Sequence, residues 1–367
     1  MTAIRWTILL AIAALATASA CSSGGGGDPA ASFQDVYDLG IDQYLGTVEP
    51  TGTQSEGDFV SYDFDPADGP ECMDGSRFRP DFRHTESENL MIFFPGGGAC
   101  WSDLCAASFF TIPGPLAAAA TQLLNVPVDG TPLGSWNLAS LSYCDGSLFS
   151  GDADHDDDGD GTVDRFQRGL RNMSAGLDAA KREFPNPRRI VIAGASGGGY
   201  STIIAPFLVR RVWPDAPIDV INDAGVGLAK PNDPSFVRGL LDEFNITRFI
   251  PESCVDCTGN GHVTRFIDWQ LAHDRNLRIA AISSLQDFVI GTVFLHIPPQ
   301  DFQAALTSET ATLADRYPGR YERFLYPGVG HTVIYVGLDS VTVQGTNVAT
   351  WLQAMLEHGD WDSIVAE

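Results

Sequence analysis

One short stretch constrains the fold more than any other part of this chain. Residues 188–211 read RRIVIAGASGGGYSTIIAPFLVRR. A β-branched run, typical of a buried strand, climbs to Gly194, and an apolar segment follows Ser196 at once. Glycines crowded around one serine predict a sharp strand-to-helix turn, because such a turn leaves no room for neighbouring side chains. The stretch therefore predicts a strained strand–serine–helix elbow that presents the serine as a nucleophile, and an ordinary tight turn is the alternative.

Further strands and helices alternate along the chain. One predicted helix places Phe166, Leu170, Met173, Leu177 and Phe184 on one face. This alternation predicts an α/β fold, an α/β-hydrolase-like mostly parallel sheet with helices on both faces. No linker interrupts the later sequence, so we expect a single catalytic domain over 35–367. The predicted strands lie within 89–101, 136–152, 188–196, 217–225, 276–289 and 320–335, and the predicted helices span 166–184, 199–212 and 346–358.

The N-terminus indicates export. Arg5 precedes an apolar segment that is too short to cross a bilayer comfortably. Small residues then lead to Cys21, which is similar to the lipobox of bacterial lipoproteins. We therefore predict a signal peptide over 1–20, and a lipidated Cys21 with a flexible Ser/Gly linker over 21–34. The expected location is that of an exported bacterial lipoprotein, on the cell envelope or the outer-membrane surface; an ordinary signal peptide is the alternative.

The charge of the chain excludes two kinds of partner. Asp and Glu number 47 against 22 Lys and Arg, for a formal net charge of −25. Such a surface repels nucleic acid and anionic membranes, so we expect neither to bind it. We expect a monomer whose contact with the membrane is the N-terminal lipid anchor alone.

Export also bears on the cysteines that remain besides Cys21. Their number is even, and in an oxidising compartment an even number indicates disulfides. Local spacing favours Cys100 with Cys105 and Cys254 with Cys257, which leaves the other two cysteines for each other. A zinc site is the alternative. The six cysteines are Cys72, Cys100, Cys105, Cys144, Cys254 and Cys257.

A nucleophilic serine needs a histidine base and an acid that orients the histidine. His331 lies on a glycine-rich turn directly after a predicted strand, FLYPGVGHTVIY, and is the predicted base. Asp287 ends the preceding strand and is the predicted acid, with Asp223, in VINDAG, as its rival. The remaining downstream histidines are expected to be surface or core side chains: His262, His273, His296 and His358.

Backbone N–H groups are expected to hold the oxyanion that forms during ester hydrolysis. One donor is the residue after the serine, Gly197. The others are Gly97 and Gly98, in a glycine loop that follows an earlier predicted strand. Two glycine clusters, each placed after a strand, favour an oxyanion hole over two unrelated turns.

Several motifs together resemble one known family. FFPGGGACWSDLC, SYCDGSLFSGD, GASGGGYS, NDAG and SLQDF resemble the pectin acetylesterase/Notum family of carboxylesterases over roughly residues 70–335. The resemblance implies an α/β-hydrolase-like fold and ester hydrolysis by Ser196, Asp287 and His331, with no cofactor for catalysis. It also implies two of the disulfides. These join Cys72 to Cys144 and Cys100 to Cys105.

Three hypotheses for the function follow. The first is a secreted, lipid-anchored serine carboxylesterase that removes small acyl (acetyl) groups from an acylated carbohydrate, which includes polysaccharides such as pectin. The second, which the Notum branch implies, is a lipid or fatty-acyl deacylase. The third is a non-catalytic, calcium-dependent surface protein on a hydrolase scaffold.

An acidic insert at about 151–165 suggests calcium. It reads GDADHDDDGDGTVDR, and its acids recur at the alternating D-x-D-x-D-G spacing of a calcium loop. Position 12 of that pattern is Gln167 instead of Glu, so the usual bidentate ligand is missing. A solvated acidic loop is the alternative to a structural Ca²⁺ site. The predicted ligands are Asp154, Asp156, Asp158, Asp160 and Asp164.

Overall fold

The computed structural model describes residues 32–107 and 114–367. The predicted signal peptide, the lipidation site Cys21 and most of the predicted linker therefore lie outside the described residues. Within the described part of the chain, no helix combines the length and the apolar character needed to cross a membrane.

A ten-stranded sheet forms the centre of the described structure, and four two-stranded hairpins surround it. In chain order the strands are β1 (Gly52–Glu56), β2 (Phe59–Asp63), β3 (Asp81–Arg83), β4 (Leu90–Phe94), β5 (Gly98–Trp101), β6 (Leu104–Ala107), β7 (Pro127–Val128), β8 (Thr131–Pro132), β9 (Asn137–Ser140), β10 (Ala153–His155), β11 (Arg165–Gln167), β12 (Ile190–Ala195), β13 (Ile218–Asp223), β14 (Leu277–Ser284), β15 (Tyr321–Tyr326), β16 (Thr342–Val343), β17 (Thr346–Asn347) and β18 (Ile364–Val365).

The central sheet confirms the predicted fold class. Its strand order is β1-β2-β3-β9-β4-β12-β13-β14-β15-β18. Every pair from β9 to β18 in that order is parallel, whereas β1, β2 and β3 form an antiparallel edge. All six predicted parallel strands are present. The antiparallel edge was not predicted, because β1 is exposed along its whole length and the short strands β2 and β3 lack the continuous apolar run of a buried parallel strand.

Helices cover both faces of this sheet. They are α1 (Gln34–Tyr37), α2 (Gly114–Ala120), α3 (Gly169–Glu183), α4 (Gly197–Ser201), α5 (Ala205–Val212), α6 (Pro234–Glu243), α7 (Thr264–His273), α8 (Pro299–Arg316) and α9 (Val348–Leu356). Successive side chains of a strand point to opposite faces of the sheet, so the side chains of one strand pack into two different hydrophobic cores. Ile92 and Phe94 of β4 pack into one core with α3, α5 and α7, whereas Met91 and Phe93 pack into the other with α9.

Two helix predictions need correction. The segment predicted as one helix over 199–212 forms two helices, α4 and α5, separated by a turn. Pro206 lies in the first turn of α5, where its missing N–H costs nothing but prevents the helix from continuing backwards. The helix predicted over 166–184 begins only at Gly169, as α3, and Phe166 belongs to the strand β11 before it.

The structure confirms the three predicted disulfides. Cys72 is bonded to Cys144, which ties the segment before β3 to the loop after β9. The other two bonds, Cys100–Cys105 and Cys254–Cys257, close short loops. All six of these cysteines are therefore used, which leaves none of them for the alternative zinc site.

Candidate active site

Ser196 occupies a strained turn between β12 and α4. Its backbone angles, φ 56° and ψ −121°, lie where residues with side chains are rarely found. The turn is tight enough that a Cβ atom added to Gly198 would lie 1.9 Å from the carbonyl oxygen of Phe94 on the neighbouring strand. The local sequence folds this way because glycine lets α4 begin directly against β4. The strain is stored at a serine that lines a cavity.

His331 and Asp287 meet at the carboxyl ends of neighbouring parallel strands. Asp287 follows β14 and His331 follows β15, so both loops emerge at the same edge of the sheet. Nδ1 of His331 lies 2.9 Å from one carboxylate oxygen of Asp287 and 3.1 Å from the other. The N–H of Ile290, in a π-helix over Phe288–Phe294, donates to that carboxylate as well. This arrangement orients the imidazole and leaves its Nε2 atom for a second partner.

Asp223, the rival acid, has other partners. Its Oδ2 atom accepts hydrogen bonds from the N–H groups of Val333 and Ile334, at 2.7 and 2.9 Å. Complete burial raises the pKa of Asp223 to about 7, against the opposite effect of those two N–H groups and of His331. The structure thus joins His331 to Asp287 and gives Asp223 to the main chain of the histidine loop.

The predicted oxyanion glycines lie where the glycine loop touches the elbow. Gly98 has φ +83°, a conformation that favours glycine, and a Cβ on Gly197 would lie 2.7 Å from its carbonyl oxygen. Gly197 is also the first residue of α4, and first-turn N–H groups have no acceptor within their helix. The structure therefore brings the glycine loop and the start of α4 together beside Ser196.

Two tyrosines that the sequence analysis did not single out hold this glycine loop. The hydroxyl of Tyr143 donates to the carbonyl oxygen of Gly98 at 2.7 Å. The N–H of Gly96 donates to the hydroxyl oxygen of Tyr335 at 2.8 Å. Tyr143 lies inside the quoted SYCDGSLFSGD motif and could have been proposed from it. Nothing in the sequence marks Tyr335, because its partner is 239 residues away.

An apolar cavity of about 120 Å³ opens beside Ser196. Trp101, next to the glycine loop, packs against Phe236 of α6 and Phe294 of the π-helix, with ring centroids 6.2 and 6.0 Å apart. Val237 and other α6 side chains line the same cavity. An apolar cavity of this kind suits the hydrocarbon part of an acyl group.

The four other histidines that follow Ser196 in the sequence are ordinary side chains. Buried His262 accepts a hydrogen bond from the N–H of Ala229 at 3.0 Å, and burial lowers its pKa. His273 stacks on Trp269 at the end of α7. His296 and His358 are exposed.

The acidic insert forms the tip of the β10–β11 hairpin. Oxygen atoms of Asp156, Asp158 and Asp164 all lie within 4.8 Å of one another. The two other predicted ligands turn elsewhere. Asp154 forms a bidentate ion pair with Arg168, with both N–O distances at 2.7 Å. Asp160 accepts a hydrogen bond from the N–H of Thr162. The structure thus brings three of the predicted ligands together.

Calcium binding at this hairpin remains a prediction, with a measurable consequence. Removal of Ca²⁺ by EGTA should lower the Tm by about 5 °C, because a ligand at 100 times its Kd stabilises the folded state by about 2.7 kcal/mol. Asp156→Asn should abolish this response, and exposed Asp360→Asn, outside the hairpin, should preserve it. Identical melting curves with EGTA and with Ca²⁺, together with no heat of binding, would contradict the prediction.

A mostly parallel sheet with a strained serine after a central strand defines the α/β-hydrolase-like class. The chain belongs to the pectinacetylesterase family, whose family model matches residues 58–256. This confirms the resemblance drawn from the motifs. Pectin acetylesterase 4 of Arabidopsis thaliana is 25% identical over 208 residues, which cover 51% of this chain and 50% of that relative. The match thus spans about half the length of the curated relative.

Proposed function

We propose that this protein is a serine carboxylic-ester hydrolase, with Ser196 as nucleophile, His331 as base and Asp287 as the acid that orients the base. The observation that carries the proposal is the Asp287–His331 pair, which lies on the same edge of the sheet as the strained turn of Ser196. Membership of the pectinacetylesterase family supports it.

The proposed reaction uses each group at a stated atom. Nε2 of His331 takes the proton of the Ser196 hydroxyl while Oγ attacks the ester carbonyl. N–H groups of the glycine loop and of Gly197 bind the resulting oxyanion. The imidazolium then protonates the departing alcohol, leaving an acyl-serine. Water, deprotonated by the same nitrogen, releases the carboxylic acid and restores the serine.

Small acyl groups, from acetyl to chains of a few carbons, are the proposed substrates. The pectinacetylesterase family and the plant pectin acetylesterase are both named for the acetyl esters of pectin. The cavity of about 120 Å³ is near the size that holds a benzene-sized molecule, about 150 Å³, and so admits an acyl chain of a few carbons. An acylated carbohydrate is the proposed alcohol component.

A fatty-acyl ester is the second candidate, favoured by apolar surface beside the site. Phe288, next to Asp287, is 52% exposed, and its N–H donates to the carbonyl oxygen of Val329, which is 58% exposed. Val293, in the same π-helix as cavity-lining Phe294, is 36% exposed. Apolar surface thus extends from the cavity wall to the outside of the protein, where a longer chain could continue.

Hydrolysis of p-nitrophenyl esters from acetate to palmitate distinguishes the two candidates. Each methylene that enters the cavity contributes about 0.8 kcal/mol, or about fourfold in kcat/KM. We expect kcat/KM to rise only over the first few carbons and then to fall. A maximum at palmitate would replace the acetyl proposal with the fatty-acyl one.

Filling the cavity should shift this preference. Val237→Phe places an aromatic ring in the cavity, so it should lower activity on butyrate and hexanoate while acetate hydrolysis is preserved. Val348→Phe is the matched control, because Val348 is a buried helical valine in the core on the other face of the sheet. Equal loss on every chain length in Val237→Phe would show that the acyl group binds elsewhere.

We also propose the exported, lipid-anchored location, with a monomer held to the membrane through Cys21. The three disulfides support export, because such bonds persist in oxidising compartments. Palmitate labelling of the full chain and of Cys21→Ala tests the anchor.

A further inference from the structure

Asp223 connects the serine turn to the histidine loop, and the proposed mechanism does not use it. It is the last residue of β13, whose parallel neighbour β12 carries Ser196 at its end. The main-chain carbonyl oxygen of Asp223 accepts a hydrogen bond from the N–H of Ser196 at 2.8 Å. The backbone of the nucleophile is therefore held directly by this residue.

The side chain of Asp223 holds the other half of the site. Its Oδ2 atom accepts from the N–H groups of Val333 and Ile334, which lie two and three residues after His331. The carboxyl group is fully buried, and its Oδ1 atom has no hydrogen-bond partner within the described part of the chain. A buried carboxyl group with one oxygen atom that lacks a hydrogen-bond partner lowers the stability of the fold. Asp223 is therefore expected to have a role in the site that offsets this cost.

The loop that Asp223 holds reaches the remaining parts of the site. His331 at its start binds Asp287, and Tyr335 at its end binds the N–H of Gly96 in the glycine loop. A shift of this loop would therefore move the base and the oxyanion loop together.

We propose that Asp223 is a positioning residue, which sets the separation of Ser196 and His331 by binding the backbone of both loops. The inference rests on the proposed function of those two residues. Asp223 does not itself act as the acid of the histidine, because its Oδ2 atom is occupied by two N–H groups and Nδ1 of His331 faces Asp287.

The surroundings of Asp223 make its charge depend on pH. Burial raises its pKa to about 7, the N–H groups of the histidine loop and His331 lower it, and Asp287 raises it. Tyr326 of β15 and Tyr335 also face it, and burial raises the pKa of each of these tyrosines. The carboxylate is therefore ionised in mildly alkaline solution, where its hydrogen bonds to the loop are charge-assisted and strongest.

The test is a graded series at position 223, assayed at about pH 8, where the carboxylate is ionised. An amide keeps one acceptor oxygen but no charge, so Asp223→Asn should lower kcat less than Asp223→Ala. The alanine variant should lose roughly 10- to 100-fold, the cost of a misplacement of about 1 Å. KM for p-nitrophenyl acetate should stay nearly unchanged. Rates are divided by the number of sites that a fluorophosphonate probe labels, so that unfolded protein does not count.

Thermal stability separates a positioning role from a purely structural one, because loss of a structural contact would lower kcat only together with the Tm. A carboxyl whose pKa is raised on folding contributes stability at low pH that is lost as the pH rises through about 7. The Tm of Asp223→Asn relative to the native chain should therefore increase between about pH 5 and about pH 8. At about pH 8, Asp223→Asn should have a lower kcat than the native chain without a lower Tm.

Asp219→Asn is the matched control. Asp219 is a buried acid on the same strand, but it pairs with Arg189 and Arg278 away from the site. Its replacement should lower the Tm and leave kcat per labelled site unchanged. The inference is overturned if Asp223→Asn and Asp223→Ala keep native kcat per labelled site, or if Asp223→Asn is inactive while Asp287→Asn is not. Failure of the proposed function would look different, because Ser196→Ala would then retain activity.

Discussion

Ser196→Ala should abolish the hydrolysis of p-nitrophenyl acetate, with a loss in kcat on the order of 10⁶-fold. The expected reason is that the alanine variant lacks the oxygen atom that forms the acyl-enzyme. Substrate binding should survive, because the cavity and the glycine loop are unchanged. The measurement is the initial rate of p-nitrophenol release by purified protein.

His331→Ala should lose a comparable factor, and the double variant should be no slower than either single one. Residues that act as one unit show such non-additivity. Ser174→Ala is the matched control, because this buried serine does not line the cavity and its hydroxyl donates within α3, to the carbonyl oxygen of Leu170. Ser196→Ala with native activity would refute the proposed nucleophile, and additive losses would refute the proposed pairing.

Asp287→Asn should lower kcat by about 10⁴-fold while the fold is preserved. The carboxylate accepts the Nδ1–H of His331, which selects the tautomer whose Nε2 atom can take a proton from serine. An amide NH₂ facing the same nitrogen favours the other tautomer. Asp287 is also the N-cap of the π-helix, where an asparagine oxygen still accepts from Ile290. The readout is kcat, with circular dichroism to verify folding.

The comparison with position 223 makes this prediction specific. Asp223→Asn should be far less damaging than Asp287→Asn, because one variant loosens a loop and the other misdirects a proton. The opposite order, with Asp287→Asn near native activity, would make Asp223 the acid of the histidine.

Much of the central architecture could be predicted because its signals are local. Apolar runs such as the one before Ser196 predict buried parallel strands, and the glycines around the serine predict a tight turn. The break between α4 and α5 was missed even though Pro206 marks it, because apolar periodicity continues across the turn. The antiparallel edge β1–β3 was missed because β1 is exposed along its whole length and carries no apolar pattern.

The candidate site was predictable only in part. Sequence order singled out Ser196, Asp287 and His331 but left Asp223 as a rival acid. The role of Tyr335 could not be deduced, because it holds the glycine loop through a contact with a residue distant in sequence. In the acidic hairpin, regular spacing suggested five ligands, yet Arg168 lies close enough to pair with Asp154 and removes it from the group.

The sequence by itself determined the strand–serine–helix turn, the parallel sheet and the two local disulfides, because each follows from periodicity, backbone freedom or short spacing along the chain. Only the tertiary structure decided which acid meets His331 and which one holds its loop. Asp223 ends β13, and Asp287 follows β14, its parallel neighbour. The choice depends on the paths of the loops after β13, β14 and β15, and those paths are set by packing between residues about 40 to 110 positions apart.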